Sequence, residues 1–449
     1  MIKHYHFIGI GGIGMSALAR ILLRRGEKVT GSDLAASATV ASLRAAGAEI
    51  FIGHARENVQ HPDAVVVSTD IPEDNPEYLA TQEAHIPILH RSELLAQLME
   101  GYAPLLVTGT HGKTTTSSLL AYVLTQVGLD PTYAIGGIVL GLKTNGHHGE
   151  GAYFVAEADE SDGSFLHYPC FGAIITNLEN DHMNYWKSDE ALDKGFKQFA
   201  SQVASHEHLF WCRDDMRLTA LQLDGYSYGF SDEADLKVDN FQQLGWKMVF
   251  DLTFQDNHYS EIEIPLIGAH NVLNAAAVFG MGLQLNIEEE LLRSALSTFT
   301  GVGRRVEKKG NCGEIEVYDD YAHHPTEIFA TLRALKTATH PRRLVVAFQP
   351  HRYTRTRDCL EEFSEAFEYA DSVIITDIYA AREPPIPGIT AQLIQKGVKK
   401  HRPQTEYVDR ASLPKFLGGY LKPGDILITM GAGDITNVGP LVLEELKHK

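Results

Sequence analysis

Cysteine is scarce in this chain of 449 residues. The four present, Cys170, Cys212, Cys312 and Cys359, are widely scattered and form no C-x-x-C pair. That leaves neither a disulfide framework nor a thiolate zinc site to expect, only buried thiols in a reducing compartment. Long apolar runs are missing too: no window approaches the ~18–20 continuous apolar residues that span a bilayer. The opening Met1-Ile2-Lys3-His4-Tyr5-His6-Phe7-Ile8 lacks the apolar stretch and small-residue cleavage site of a secretory signal, so a cytoplasmic location is expected. Positive charge is in deficit, with 39 Lys and Arg against 58 Asp and Glu and a net charge of −19. Nucleic acid and anionic membranes reward a basic face, so neither is expected as a partner. Small anions stay open, because backbone N–H groups, a few cations and a divalent metal can hold them locally.

The chain alternates short apolar strands with helical stretches, which predicts an α/β fold, and its length predicts two to three domains. A first domain is expected to close near residue 98, after a loop containing Pro72, Pro76 and Pro87. Strands are expected at Pro104–Thr108, Tyr153–Ala156 and Ala173–Thr176, with mostly β structure over residues 205–265 and an alanine-rich helix from about Asn271. A third unit is expected from Gly301, with strands at Ile315–Tyr318, Leu344–Phe348, Val373–Thr376 and Ile426–Thr429. The implied domains are residues 1–98, 99–300 and 301–449.

Two glycine loops carry the first chemical signals. Gly9, Gly11 and Gly14 fit G-x-G-x-x-G between a strand and a helix, with Asp33 following in Gly31-Ser32-Asp33. Such a turn lets a diphosphate approach a helix N-terminus; NAD, another nucleotide diphosphate and a structural turn all remain open. Gly109-Thr110-His111-Gly112-Lys113-Thr114 is more specific. Its backbone N–H groups can cradle phosphate oxygens, Lys113 can neutralise the β/γ-phosphates, and the Thr114 hydroxyl can ligate magnesium. The spacing is two residues shorter than the standard G-x-x-x-x-G-K-[ST] loop.

Glu157, in Glu157-Ala158-Asp159-Glu160-Ser161-Asp162, and His182, in Asn177-Leu178-Glu179-Asn180-Asp181-His182, each follow an expected strand. In an open parallel sheet the carboxyl ends of strands gather ligands, which puts both beside Lys113 as candidate magnesium ligands. Asn271 and Asn274 share a helix face at i, i+3; reading an adenine edge or a phosphate competes with helix capping by Asn271. Farther on, Asp319-Asp320-Tyr321-Ala322-His323-His324-Pro325 follows one strand. Gln349-Pro350-His351-Arg352-Tyr353-Thr354-Arg355-Thr356-Arg357 follows the next and concentrates arginine forks suited to carboxylates and phosphates.

In that order, the Lys113 loop, the Glu157 run, the segment ending at His182, His270-Asn271-Val272-Leu273-Asn274, Gly303-Arg304-Arg305 and Asp319-Asp320-Tyr321 resemble the Mur ligases of peptidoglycan synthesis over the whole chain. The resemblance implies a Rossmann-like N-terminal domain for a UDP-sugar, a central P-loop-type ATPase domain with a mostly parallel sheet, and a Rossmann-like C-terminal domain for an amino acid. It implies that Gly9, Gly11, Gly12, Gly14, Asp33 and Ser68 bind the UDP-sugar. ATP would take Gly109, Thr110, His111, Gly112, Lys113, Thr114 and Thr115 with Asn271, Asn274, Arg305 and Asp320, and Mg2+ would take Thr114, Glu157 and His182. Lys113, His182, Arg305, His351, Arg352 and Arg355 form the implied catalytic set. Gly9–Ser16, Asp319–Pro325 and Gln349–Arg357 look most like the member that joins L-alanine to the lactyl carboxylate of UDP-N-acetylmuramate. A relative that returns a recycled tripeptide to that sugar is the alternative, and an NAD-dependent oxidoreductase is the rival from another class. A monomer or homodimer is expected. Several family members use a carbamylated lysine some fifteen residues beyond the Asp-His pair; here that count reaches Phe196, with Lys194 and Lys197 only nearby, so no carbamylated lysine is expected.

Overall fold

The computed structural model describes residues 2–448. The fold is α/β with mostly parallel sheets, as the alternation predicts. The chain packs into two compact units: Met1–Asp239, Asp251–Ile262 and Leu273–Thr300 in one, Asn240–Phe250, Glu263–Val272 and Gly301–Lys449 in the other.

The first sheet uses β1 (His4–Ile8), β2 (Lys28–Asp33), β3 (Glu49–Ile52), β4 (Ala64–Val67) and β5 (Ile88–His90) in the order β3-β2-β1-β4-β5, all parallel. Helices cover both faces of such a sheet, which is why Ala64–Val67 reads as an unbroken apolar run. The chain steps outward from β1 to β3, then restarts at β4 on the other side of β1. The carboxyl ends of β1 and β4 therefore flank a topological switch point. One expectation fails here: the proline-bearing segment after β4 contains the helix Pro76–Glu83. Asn75 caps it by accepting from Glu77 N and Tyr78 N, and Pro76 occupies the first turn, where its missing N–H costs nothing.

The second sheet contains β6 (Ala103–Thr108), β7 (Thr132–Val139), β8 (Thr144–His147), β9 (Tyr153–Glu157), β10 (Gly172–Ile175), β11 (Leu209–Cys212), β12 (Tyr226–Gly229), β13 (Leu236–Leu244), β14 (Lys247–Phe254) and β15 (Asn257–Ile264). Their order is β15-β14-β13-β12-β11-β10-β6-β9-β7-β8. The division between the units passes through β13, β14 and β15. Central β6 pairs in parallel with β10 and β9, which aligns Val107 with Glu157 and Thr108 with Ile175.

Within the first unit, the helix Ile13–Arg24 lies on the β7–β8 hairpin. Asn145 Nδ2 donates to Ile13 O at 2.7 Å and to Ser16 Oγ at 3.1 Å. Gly146 allows the close approach, since a Cβ there would stand 2.5 Å from Ala17 O.

The second unit carries β16 (Glu307–Cys312), β17 (Ile315–Asp320), β18 (Leu344–Phe348), β19 (Ser372–Ile375), β20 (Thr405–Tyr407) and β21 (Ile426–Met430), ordered β16-β17-β21-β18-β19-β20. Only β16 is antiparallel. Two apolar clusters pack its faces, one around Phe348, Phe363 and Phe367 and one around Leu417, Leu427 and Val442.

Candidate functional site

The loop after β6 is shaped by two left-handed glycines, Gly109 at φ 126° and Gly112 at φ 85°. A Cβ on Gly109 would fall 2.2 Å from Thr176 Oγ1 and 2.8 Å from Asn177 O. The segment after β10 clasps the loop. Thr110 N donates to Asn177 O, His111 N donates to Asn177 Oδ1 at 2.8 Å, and Thr176 Oγ1 donates to His111 O at 2.6 Å. Gly112 opens the helix Lys113–Gln126 with no side-chain cap, so the N-terminal N–H groups there are suited to an anion. Thr114 and Thr115 follow in the first turn, both buried. Asn274 sits against the loop, its Oδ1 3.1 Å from where a Gly112 Cβ would be.

Lys113 Nζ donates to Gly109 O at 2.6 Å, Thr110 O at 3.3 Å and Glu160 Oε2 at 2.8 Å. Burial opposes its charge, but Glu160 and Asp159 outweigh that and hold the ammonium above the ordinary lysine value. Burial pushes the Glu160 carboxyl up, against the pull of Lys113. Sequence reasoning had noted Glu160 only as part of an acidic run; nothing local announces a partner in a distant loop.

Glu157 stands at the end of β9, as expected. Thr114 Oγ1 donates to its Oε2 at 3.2 Å, while Ser117 Oγ at 3.3 Å and Gly136 N at 2.7 Å donate to Oε1. A hydroxyl and a carboxylate converging beside a lysine and a helix N-terminus suit Mg2+, which prefers oxygen donors. His182 has a left-handed backbone, φ 56°, and lies 3.7 Å from Asp181 Oδ2. It also lies near Asp159. Burial pushes Asp159 up, yet Lys113 and Arg91 more than offset this and hold it below the usual range. Arg91, which sequence reasoning missed, pairs with Asp159 at 3.5 Å and reaches to 3.8 Å from a Cβ position on Gly14. It therefore links the Gly14 turn to the acidic run after β9. Phe196 is fully buried and packs 5.5 Å from Phe165, while Lys194 and Lys197 are exposed.

At the first loop, Gly9 is left-handed at φ 78° and Gly12 precedes the helix Ile13–Arg24 without a side-chain cap. Asp33 ends β2 and accepts from Gly11 N at 2.8 Å. Ser68 follows β4 and accepts from Ile71 N, and the Ile71 side chain reaches within 3.3 Å of a Gly9 Cβ position. These residues share the switch point of the first sheet.

In the second unit, Asn271 lies inside the helix Ala269–Gln284 and donates to Ile267 O at 2.8 Å. This sets aside the capping alternative, because the helix starts before it. Asp320 is buried and accepts from Val306 N at 2.7 Å and Ala322 N at 2.8 Å. Burial pushes its carboxyl up to about 6, against the pull of Arg305. Arg304 and Arg305 stack on Tyr321 at 4.8 and 5.2 Å. His270, exposed at the start of the helix Ala269–Gln284, faces the charge of Arg305.

Beyond β18, His351 stacks on Tyr379 at 5.8 Å and meets His323 edge-on at 5.5 Å. Burial, with His323 and the arginines, pushes its imidazole down to about 3. Arg355 Nη1 lies 3.3 Å from His351 Nδ1. A guanidinium can only donate, so Nδ1 accepts and Nε2 carries the proton. Arg352 sits at φ 68°, strained for a non-glycine, and its buried Nε has no hydrogen-bond partner among the described residues. Neutral donor and cationic forks thus gather at the carboxyl edge of this sheet, an arrangement fit for carboxylates.

Family models match almost the entire chain in three parts: "Mur ligase family, catalytic domain" over residues 4–103, "Mur ligase middle domain" over residues 107–282, and "Mur ligase, glutamate ligase domain" over residues 304–433. The UDP-N-acetylmuramate–L-alanine ligase of Protochlamydia amoebophila is 46% identical, covering 100% of this chain and 99% of that protein. The ligase of the same name from Geotalea uraniireducens is 44% identical over 99% and 98%. The crystal structure of the Thermotoga maritima UDP-N-acetylmuramate–alanine ligase superposes with a TM-score of 0.87 at 29% identity, covering 99% of each chain. A murein peptide ligase from Psychrobacter arcticus shares the fold, with a TM-score of 0.73 at 23% identity over 100% and 99%.

Proposed function

The chain belongs to the Mur ligase family, and we propose that it joins L-alanine to the lactyl carboxylate of UDP-N-acetylmuramate, converting ATP to ADP and phosphate. The observation that carries this reading is the Lys113 loop clasped between β6 and β10, with Glu157 aligned to Val107 on the same sheet edge. The relatives bearing that activity match over their full length, which disfavours both the tripeptide ligase and the oxidoreductase. The three domains are taken as residues 1–98, 99–300 and 301–449, working in the cytoplasm as a monomer or homodimer.

The lactyl carboxylate attacks the γ-phosphorus of ATP; ADP leaves and an acyl phosphate forms. The neutral amine of L-alanine attacks the acyl carbon, phosphate leaves, and the amine proton is lost. Gly9, Gly11, Gly12, Gly14, Asp33 and Ser68 hold the UDP-sugar. Gly109 to Thr115 cradle the ATP phosphates, Lys113 spreads their charge, and Asn271, Asn274, Arg305 and Asp320 complete the nucleotide site. Thr114, Glu157 and His182 hold Mg2+, which supplies charge neutralisation when bound. His351, through its protonated Nε2, orients carboxylates with Arg352 and Arg355. Positioning and electrostatics dominate, because many negative charges converge.

Phosphate release with UDP-N-acetylmuramate, ATP and a panel of L-alanine, serine, glycine and the recycled tripeptide tests the assignment. Turnover with tripeptide and not alanine overturns the specificity. Lys113→Ala is expected to abolish ligation while UDP-sugar binding persists; retained ligation would remove the ATP site from this loop.

A further inference from the structure

A cavity of about 430 Å³ opens where the carboxyl end of the helix Ile13–Arg24 meets the β7–β8 hairpin and the last turn of the helix Lys113–Gln126. Both helices start at the phosphate loops, so the cavity sits at their opposite ends. Arg20, Arg24 and Lys143 line it, with His147 and Tyr133 stacked at 5.5 Å as an aromatic wall. Among the described residues, none of these three cations has an ion-pair partner, in a chain where acids outnumber bases by 58 to 39.

A basic residue at a helix carboxyl end complements the backbone dipole, which accounts for Arg24. It does not account for Lys143, which comes from the hairpin turn, or for Arg20. Arg20 Nη2 donates to Ser42 Oγ at 3.1 Å, but its Nε is buried with no partner among the described residues. Burial already pulls this guanidinium below its ordinary value. A partly desolvated guanidinium is costly without a counter-charge, and the acid beside the cavity wall, Asp130, pairs with His147 and not with any of the three cations.

We propose that this cavity is an anion site separate from the two glycine loops, taking the di- or triphosphate group of a small phosphorylated ligand. The ligand would be gripped from both sides, by the helix leaving the Gly9 loop and by the hairpin beside it.

The test is calorimetric. Inorganic pyrophosphate is titrated into the full chain already saturated with UDP and Mg-ADP. One binding event is expected, and Arg24→Gln combined with Lys143→Gln, both exposed, should weaken it about tenfold or more. Ligase turnover without pyrophosphate should stay unchanged in that variant. Separate titrations of UDP and ADP report the two loops, so a failure there is distinguishable from a failure here. No event in the saturated wild-type chain, or one of equal strength in the double variant, overturns the proposal.

Discussion

Replacing Glu160 with Gln keeps the size of the side chain and removes the carboxylate that holds Lys113 at 2.8 Å. Their side chains are 3% and 15% exposed, so water screens the pair weakly. Coulomb attraction at that distance is about 6 kcal/mol at an effective dielectric near 20. Desolvation of both groups cancels much of it, and breaking a buried pair costs about 3–5 kcal/mol. The Gln oxygen still accepts a hydrogen bond, which brings the expected loss for the ligand-free chain to about 2–3 kcal/mol. ATP bound as proposed returns negative charge to Lys113, and in the variant it displaces no carboxylate. The affinity for a non-hydrolysable ATP analogue with Mg2+ should therefore rise about 10- to 30-fold, for a difference near 2 kcal/mol. Thermal unfolding with and without the analogue, together with calorimetry, reads both halves. Weaker analogue binding with unchanged ligand-free stability would refute the reasoning, since Glu160 would then act on the nucleotide side and not as its competitor.

Gly109→Ala should cost about 3 kcal/mol or more in thermal unfolding, because its Cβ would lie 2.2 Å from Thr176 Oγ1 at φ 126°; a loss under about 1 kcal/mol would contradict that geometry. His351→Phe should lower kcat/KM for L-alanine about 10- to 100-fold with KM for ATP unchanged, matching loss of a hydrogen bond to a charged group. Phosphate-release kinetics check it, and an unchanged alanine profile would remove His351 from the carboxylate site. Asp320 is raised from 3.8 to about 6, so the folded state binds its proton more tightly than the unfolded state does. Its contribution to stability must fall as pH rises from about 4 to about 6. Asp320→Asn should lack that component, and wild-type and variant unfolding curves of the same slope across this window would contradict the assignment.

The strands and both glycine loops were legible because parallel strands buried on two faces read as apolar runs, and loops that approach phosphate need glycine at fixed places. Glu157 was placed correctly because strand ends in an open sheet share an edge. Pro76 was misread: a proline cluster suggests a loop, and only Asn75 ahead of it marks a helix start. An asparagine near a helix start suits a cap as well as a ligand, and only the helix start at Ala269 separates the two for Asn271. Glu160 and Arg91 stayed hidden because their partners are Lys113, far along the chain, and Asp159 with the Gly14 turn. Long-range pairing leaves no trace in local pattern.

The bond from Asn145 to the first turn of the helix Ile13–Arg24, with Gly146 set backbone to backbone on Ala17, has a consequence for substrate choice. It builds the separation of the two glycine loops into the fold. A sugar nucleotide bound as proposed above would then be measured by its own length from diphosphate to carboxylate. An arm too short or too long would present its oxygen out of line with the γ-phosphorus, however well its ends were bound.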